Sequence, residues 1–122
     1  MKHKSSMKKQ ISILKHILED ITEVKDFTSD IDFDTFVNSS IIRKAVCMSL
    51  INIGELAKAL PAEYKAKNKE IPWKNISGLR DITAHKYHTL NLDVIWAVVK
   101  HDIHALELFI QKELKNIQSS EE

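Results

Sequence analysis

The sequence predicts a single all-α domain, and three observations support that prediction. Only two glycines and two prolines occur in 122 residues, so the composition favours long helices over a turn-rich sheet. Apolar residues recur at three- and four-residue steps along several segments, which is the spacing of one helix face. The chain contains no internal repeat and no low-complexity tract. We therefore expect one domain, residues 1–122, folded as an up-and-down bundle of four to five helices.

Four main helices and one short helical turn make up the predicted bundle. The turn lies in TSDIDFDTF, where Phe33 and Phe36 close one end of the core. Ser39 and Ser40 are predicted to cap the second main helix, and Asn91 with Asp93 the last one. A lysine-rich loop with room for one short helix separates Pro61 from Trp73. The main helices are predicted at about 7–27, 41–60, 73–85 and 91–117, with residues 1–6 and 118–122 flexible.

Charge and cysteine usage indicate a cytoplasmic protein without a broad charged surface. Lys and Arg number 18 and Asp and Glu number 17, so an RNA-binding surface would have to be local. The single cysteine, Cys47, sits in an apolar helical run and is expected to be a core residue. The basic start MKHKSSMKKQ leads into an amphipathic pattern, which favours neither a signal peptide nor a membrane span.

The two glycines, Gly54 and Gly78, both fall inside helical patterns, where each costs about 1 kcal/mol relative to alanine. Close helix packing is the favoured explanation, with Gly54 and Gly78 facing each other. Such a contact would bring Glu55 within reach of Arg80 on the next helix. Glu55 is therefore a candidate supporting residue, with a solvated helix carboxylate as the alternative.

The segment RDITAHKY concentrates the groups that could carry chemistry. Cleavage of RNA without a metal needs a base for the 2'-hydroxyl and a cation for the charge that develops on phosphate. His85 is suited to the first role and Arg80 to the second. Five residues on an ideal helix rotate about 140°, so either the helix loosens near His85 or two protomers complete the site. Asp81 lies four residues before His85 and could orient it.

These residues resemble the motif of the HepT family within the HEPN group: an arginine, four residues, a histidine, one residue and a tyrosine. Here the motif reads Arg80, DITA, His85, Lys86, Tyr87. The segments IIRKAVCMSLINIGELAKALP, IPWKNISGLR and NLDVIWAVVKHDIHAL are also similar to the family, so the likeness covers most of the chain from Ile41 onward. Lys86 departs from the family's usual glycine, and His88 from its usual aromatic residue.

The resemblance implies a function and a set of site residues. It implies a homodimeric toxin of a type VII toxin–antitoxin system that cuts RNA, either tRNA or mRNA, without a metal or cofactor. Arg80 and His85 would be catalytic and Asp81 supporting. A cognate MntA-like nucleotidyltransferase antitoxin would silence the toxin by attaching AMP to Tyr87. The candidate RNA-binding residues around the shared cleft are Lys74, Lys86 and His88.

Alternative interpretations also follow from the sequence. The main one is a non-catalytic HEPN module that binds the nucleotidyltransferase and a nucleotide or RNA. A weaker one is a metal site, because His85 with His88 and His101 with His104 form two His-x2-His pairs. Trp73 and Trp96 are expected to fill the core, with base stacking by Trp73 as the alternative.

Overall fold

The computed structural model of the protein describes the backbone of residues 2–81 and 91–121 and the side chains of residues 7–81 and 91–119. Every regular element in that part of the chain is helical, which confirms the all-α class. The elements are α1 (Lys2–Thr28), α2 (Phe33–Asn38), α3 (Ser40–Lys58), α4 (Ala62–Lys67), α5 (Trp73–Gly78), a 3-10 turn (Leu79–Asp81), α6 (Leu92–Ala97), a π-turn (Val98–Asp102) and α7 (Ile103–Glu121).

The hydrophobic core lies between α1, α3 and α7. α1 packs along α3 on one side and along α7 on the other, while α3 also contacts α5 and the 3-10 turn. Burial of one such aliphatic side chain stabilises the fold by about 1.5–3 kcal/mol. Among the described residues, the large aliphatic side chains that are fully buried are Leu14, Ile17, Ile21, Val24, Val46, Leu50, Ile53, Ile76, Ile103, Leu106 and Ile110.

Side-chain caps begin three of the helices, two of them as predicted. Ser39 Oγ accepts from the Ile42 amide at 3.2 Å at the start of α3. Asn91 Oδ1 accepts from the Asp93 amide at 3.0 Å at the start of α6. Asp32 caps α2 and accepts from the Thr35 amide at 2.8 Å, a hydrogen bond that lowers the pKa of Asp32. These bonds satisfy amides that have no partner inside the helix.

An aromatic cluster closes the end of the core where α2 lies, as the sequence predicts. Phe36 is fully buried, and its ring centroid lies 5.1 Å from that of Trp96. Phe33 approaches the same indole at 6.0 Å. Lys100 places its ammonium 4.5 Å from the Trp96 ring and donates to the Thr28 carbonyl oxygen at 3.3 Å. The start of the last helical segment is thereby attached to the end of α1.

Three helices differ from the prediction. The helix expected over 73–85 is shorter, because α5 ends at Gly78 and a 3-10 turn follows; the rest of that span lies outside the described residues. The last helix is interrupted by the π-turn and reaches Glu121, and α1 begins at Lys2. The flexibility expected of residues 1–6 and 118–122 stays a prediction.

Cys47 is buried among the core residues, which confirms its expected role. Burial raises the pKa of its thiol. In the described part of the chain, no helix has the length and apolar content needed to cross a membrane.

Candidate functional site

Gly54 brings α3 into direct contact with the main chain at Arg80. A Cβ atom at position 54 would overlap the backbone nitrogen of Arg80. It would also lie 3.1 Å from the Leu79 carbonyl carbon and 3.1 Å from the Ser77 carbonyl oxygen. Only a residue without a side chain allows so close an approach. The close packing predicted for Gly54 is confirmed, and it fixes where the Arg80 backbone lies.

Gly78 has different surroundings, and the prediction that it faces Gly54 is wrong. A Cβ atom at Gly78 would meet nothing within 4 Å. The residue is exposed at the last position of α5. The main chain that meets Gly54 instead comes from Ser77 and from Leu79 to Arg80. A glycine inside a helical pattern thus marks a close crossing in one case and open surface in the other.

Arg80 pairs with Glu55, the residue after Gly54. The Arg80 Nη1 and Glu55 Oε1 atoms are 3.9 Å apart, which confirms that Glu55 lies within reach of the arginine. The side chains of Arg80 and Glu55 are 37% and 58% exposed. An exposed pair of this kind contributes at most about 1 kcal/mol to stability. Its consequence is orientation: the guanidinium is directed toward α3, yet it remains open to solvent and keeps N–H donors for a phosphate.

The other predicted site residues fall into two groups. Asp81 is exposed at the end of the 3-10 turn, and Lys74 is exposed at the second position of α5. His85, Lys86, Tyr87 and His88 lie outside the described residues. The convergence of Arg80 with His85, and the orientation of His85 by Asp81, therefore stay predictions.

An aromatic cluster fixes the start of α5, the helix that leads to Arg80. Trp73 is buried, and its ring lies 5.9 Å from Phe109 and 6.2 Å from Tyr64. Its Nε1 donates to the Asn68 carbonyl oxygen at 2.9 Å. Trp73 is thus a core residue, as the favoured interpretation holds. Because α5 has only six residues, this anchor lies about two turns from Arg80.

Tyr64 connects the same aromatic cluster to α7, and it was not among the predicted site residues. Its hydroxyl donates to Glu113 Oε1 at 2.9 Å, and burial together with this bond raises the pKa of Tyr64. Asn68 completes the connection, since its Nδ2 donates to the Tyr64 carbonyl oxygen at 2.9 Å. An aromatic residue in an otherwise polar, lysine-rich segment was the one available signal for Tyr64.

A separate pocket between α1 and the π-turn has a volume of about 160 Å³. Its basic groups already have partners: Lys25 Nζ lies 2.8 Å from Glu107 Oε1, and His104 Nδ1 lies 3.6 Å from the same oxygen. Lys100 is held by the Thr28 carbonyl. The Lys100 ammonium thus lies at the C-terminal end of α1, where helix carbonyls concentrate partial negative charge. The pocket is lined by Lys25, Thr28, Ser29, Val99, Lys100 and His104.

The metal-site alternative involves four histidines, two of which, His101 and His104, lie in the described part of the chain. Among the residues whose side chains are described, no three His, Cys, Asp or Glu groups lie close enough to hold a metal ion. His101 and His104 are both exposed on the last helical segment. Their hypothetical partners His85 and His88 fall outside that part of the chain, so the alternative stays untested.

Comparison with known proteins matches the chain to the family described as "Ribonuclease HepT-like" over residues 17–113. A Methanocaldococcus jannaschii protein named "Putative RNase MJ1380" is 38% identical over 92 residues, which cover 75% of this chain and 84% of the relative.

Two further relatives come from other organisms. "Putative RNase TTE0752" of Caldanaerobacter subterraneus is 35% identical over 115 residues, which cover 94% of this chain and 99% of the relative. "Probable ribonuclease HepT" of Thermococcus cleftensis is 36% identical over 97 residues, which cover 76% of this chain and 88% of the relative. No solved structure matches the chain significantly.

Proposed function

Because this chain belongs to the HepT-like ribonuclease family, we propose that it is the toxin of a type VII toxin–antitoxin pair and cuts RNA without a metal ion. The observation that carries the proposal is the placement of Arg80. Its backbone is held against α3 at Gly54, and its guanidinium is open to solvent beside Glu55. A preorganised cation at a surface is suited to bind a phosphate whose charge increases in the transition state.

The proposed reaction uses His85 as the base and Arg80 as the electrostatic stabiliser. The imidazole of His85 removes the proton of the ribose 2'-hydroxyl, and the 2'-oxygen then attacks the adjacent phosphorus. The bond from phosphorus to the 5'-oxygen breaks, and that oxygen takes up a proton from an acid such as an imidazolium or water. The products are a 2',3'-cyclic phosphate and a 5'-hydroxyl. Arg80 donates to the non-bridging oxygens throughout.

The supporting residues act through these two groups. Glu55 orients Arg80 through the 3.9 Å pair, and an arriving RNA phosphate competes with that carboxylate for the guanidinium. Asp81 is proposed to orient His85, four residues further along. Lys74, Lys86 and His88 are proposed to contact RNA.

The proposed antitoxin partner is an MntA-like nucleotidyltransferase that attaches AMP to Tyr87. Tyr87 lies seven residues after Arg80 in the sequence. The added phosphate would pair with a cation in place of the substrate, and the adenosine would block the approach of RNA. Modification would therefore silence the toxin by occupying its anion site.

We further propose that a second copy of the chain completes the site. Ile41 and Met48 lie seven residues apart on the outer face of α3 and are 82% and 60% exposed. Apolar side chains so exposed on one helix favour burial against a partner. Their position N-terminal to Glu55 on the same helix would bring the two copies together beside Arg80. Light scattering of the purified protein tests this proposal, and a monomer at micromolar concentration contradicts it.

The function is tested by incubating purified protein with RNA in excess EDTA. We expect cleavage that leaves 2',3'-cyclic phosphate ends, and we expect Arg80→Ala and His85→Ala to lower the rate at least about a hundredfold. Lys15→Ala, which changes an exposed residue of α1, is the control. Circular dichroism must show that all variants fold alike. Cleavage that persists in His85→Ala contradicts the mechanism, and RNA binding without cleavage favours the non-catalytic module.

A further inference from the structure

Although the chain as a whole is nearly neutral, one region of it carries a high positive charge. Residues 58–80 contain six Lys and Arg against two Glu, a net charge of +4, whereas the whole chain carries +1 and the remainder therefore −3. Residues 19–34 are the opposite case, with seven Asp and Glu against one Lys, a net charge of −6. A polyanion will be attracted to the first region and repelled by the second.

The fold places these two regions at opposite ends of the bundle. α3 begins beside α2, at the acidic end, and leads into α4, at the basic end. α5 starts near α4, as the Trp73–Tyr64 ring contact shows, and the 3-10 turn that follows α5 meets Gly54 at Arg80. The Arg80–Glu55 pair therefore lies along α3, and the basic region extends from it toward one end.

Lys58 lies on the same side of α3 as Gly54 and Glu55. It follows Gly54 by four residues and Glu55 by three, so it lies one turn further along the side of α3 that borders α5. Its side chain is exposed, as is that of Lys74 on α5. Lys65 has a different role, because its Nζ lies 3.4 Å from the carbonyl oxygens of Ala57 and Lys58 and thus caps α3.

Beyond Lys58 and Lys74, the basic region continues with two more exposed lysines. Lys67 is the last residue of α4, and Lys69 follows in the loop before α5. The aromatic residues of this region, Tyr64 and Trp73, are both buried. The surface thus offers ammonium groups for phosphates and no exposed aromatic ring on which a base could stack.

We propose that Lys58, Lys67, Lys69 and Lys74 form a track for the backbone of single-stranded RNA that leads from Arg80 to the α4 end of the bundle. The proposal rests on the ribonuclease function and specifies how that site holds its substrate. A strip of lysines continuous with the phosphate-binding arginine fits an extended polyanion. Since the contacts are to phosphates, the track adds affinity without sequence preference and is sensitive to salt.

The test measures binding rather than cleavage. Fluorescence anisotropy of a labelled single-stranded RNA with methylated 2'-hydroxyls, which lacks the nucleophile, gives Kd over a range of salt concentrations. We expect Lys58→Gln with Lys74→Gln to weaken binding on the order of tenfold at physiological salt. The slope of log Kd against log salt should fall by about 1.4, because two phosphate contacts are lost.

The matched control is Lys8→Gln with Lys15→Gln, which removes two exposed charges from α1 outside the basic region. It should leave both the affinity and the slope close to those of the parent protein. Equal binding of RNA by the double variant and its parent overturns the track. A double variant that keeps RNA affinity but fails to bind the antitoxin assigns the lysines to an acidic protein surface instead. A parent protein that binds RNA with the expected slope but never cuts it overturns the ribonuclease proposal and leaves the track in place.

Discussion

The two sides of α3 pack differently: one buries large side chains, and the other brings backbone against backbone. Toward the core, α3 packs along α1, and hydrocarbon side chains such as Leu50 and Ile53 are fully buried. Toward α5, Gly54 contributes no side chain, and the main chain of residues 77–80 lies directly on the helix. The first contact stabilises the fold through buried hydrocarbon, whereas the second determines where the backbone of Arg80, the proposed phosphate-binding residue, lies. Stability and site geometry are therefore separable on a single helix.

The largest loss of stability is expected on the core side, from Leu50→Ala. Leu50 is fully buried in the middle of α3. Its truncation removes buried hydrocarbon and leaves a cavity, which should lower the free energy of unfolding by about 2–5 kcal/mol. Urea unfolding followed by circular dichroism measures this change. RNA cleavage per folded molecule at low temperature should stay near that of the parent, and a selective loss of activity would contradict the separation.

Gly54→Ala tests the other side of α3. The added methyl group meets backbone rather than a flexible side chain, so either α5 or α3 must shift. We expect a loss of about 1–3 kcal/mol in stability. The cleavage rate of the folded variant should fall at least about tenfold, because a shift of about 1 Å in a positioning contact is costly. A folded variant with parental activity would show that Arg80 does not depend on this crossing.

The features that could be predicted from the sequence are local or depend on periodicity. The caps at Ser39 and Asn91 are formed within three residues of the helix start, so the residue type and its position suffice. The apolar stripe of α3 follows from its 3.6-residue spacing. The packing role of Gly54 could be predicted because a glycine inside a helix needs an offsetting benefit.

Other features depend on which distant segments meet, and spacing does not specify that. Tyr64 and Glu113 are 49 positions apart, and no pattern in either helix indicates their hydrogen bond. The surroundings of Gly78 also depend on which segments meet. A glycine at position 78 destabilises a helix as much as one at position 54, so the sequence does not distinguish the packed glycine from the exposed one. The π-turn of Val98–Asp102 changes the hydrogen bonding of a helix without interrupting its apolar pattern.

Gly78→Ala is the smallest of the three changes and the matched control for Gly54→Ala. Both substitutions add one methyl group to a glycine that lies in a helix and has no positive φ. At Gly78 the methyl group enters open space, so alanine should raise the free energy of unfolding by about 0.4–1 kcal/mol through the lower entropy of the unfolded chain. Urea unfolding measures the gain, and cleavage should be unchanged. If Gly78→Ala instead lost stability and activity as Gly54→Ala does, the effect at position 54 would reflect helix composition near the site rather than the backbone contact with Arg80.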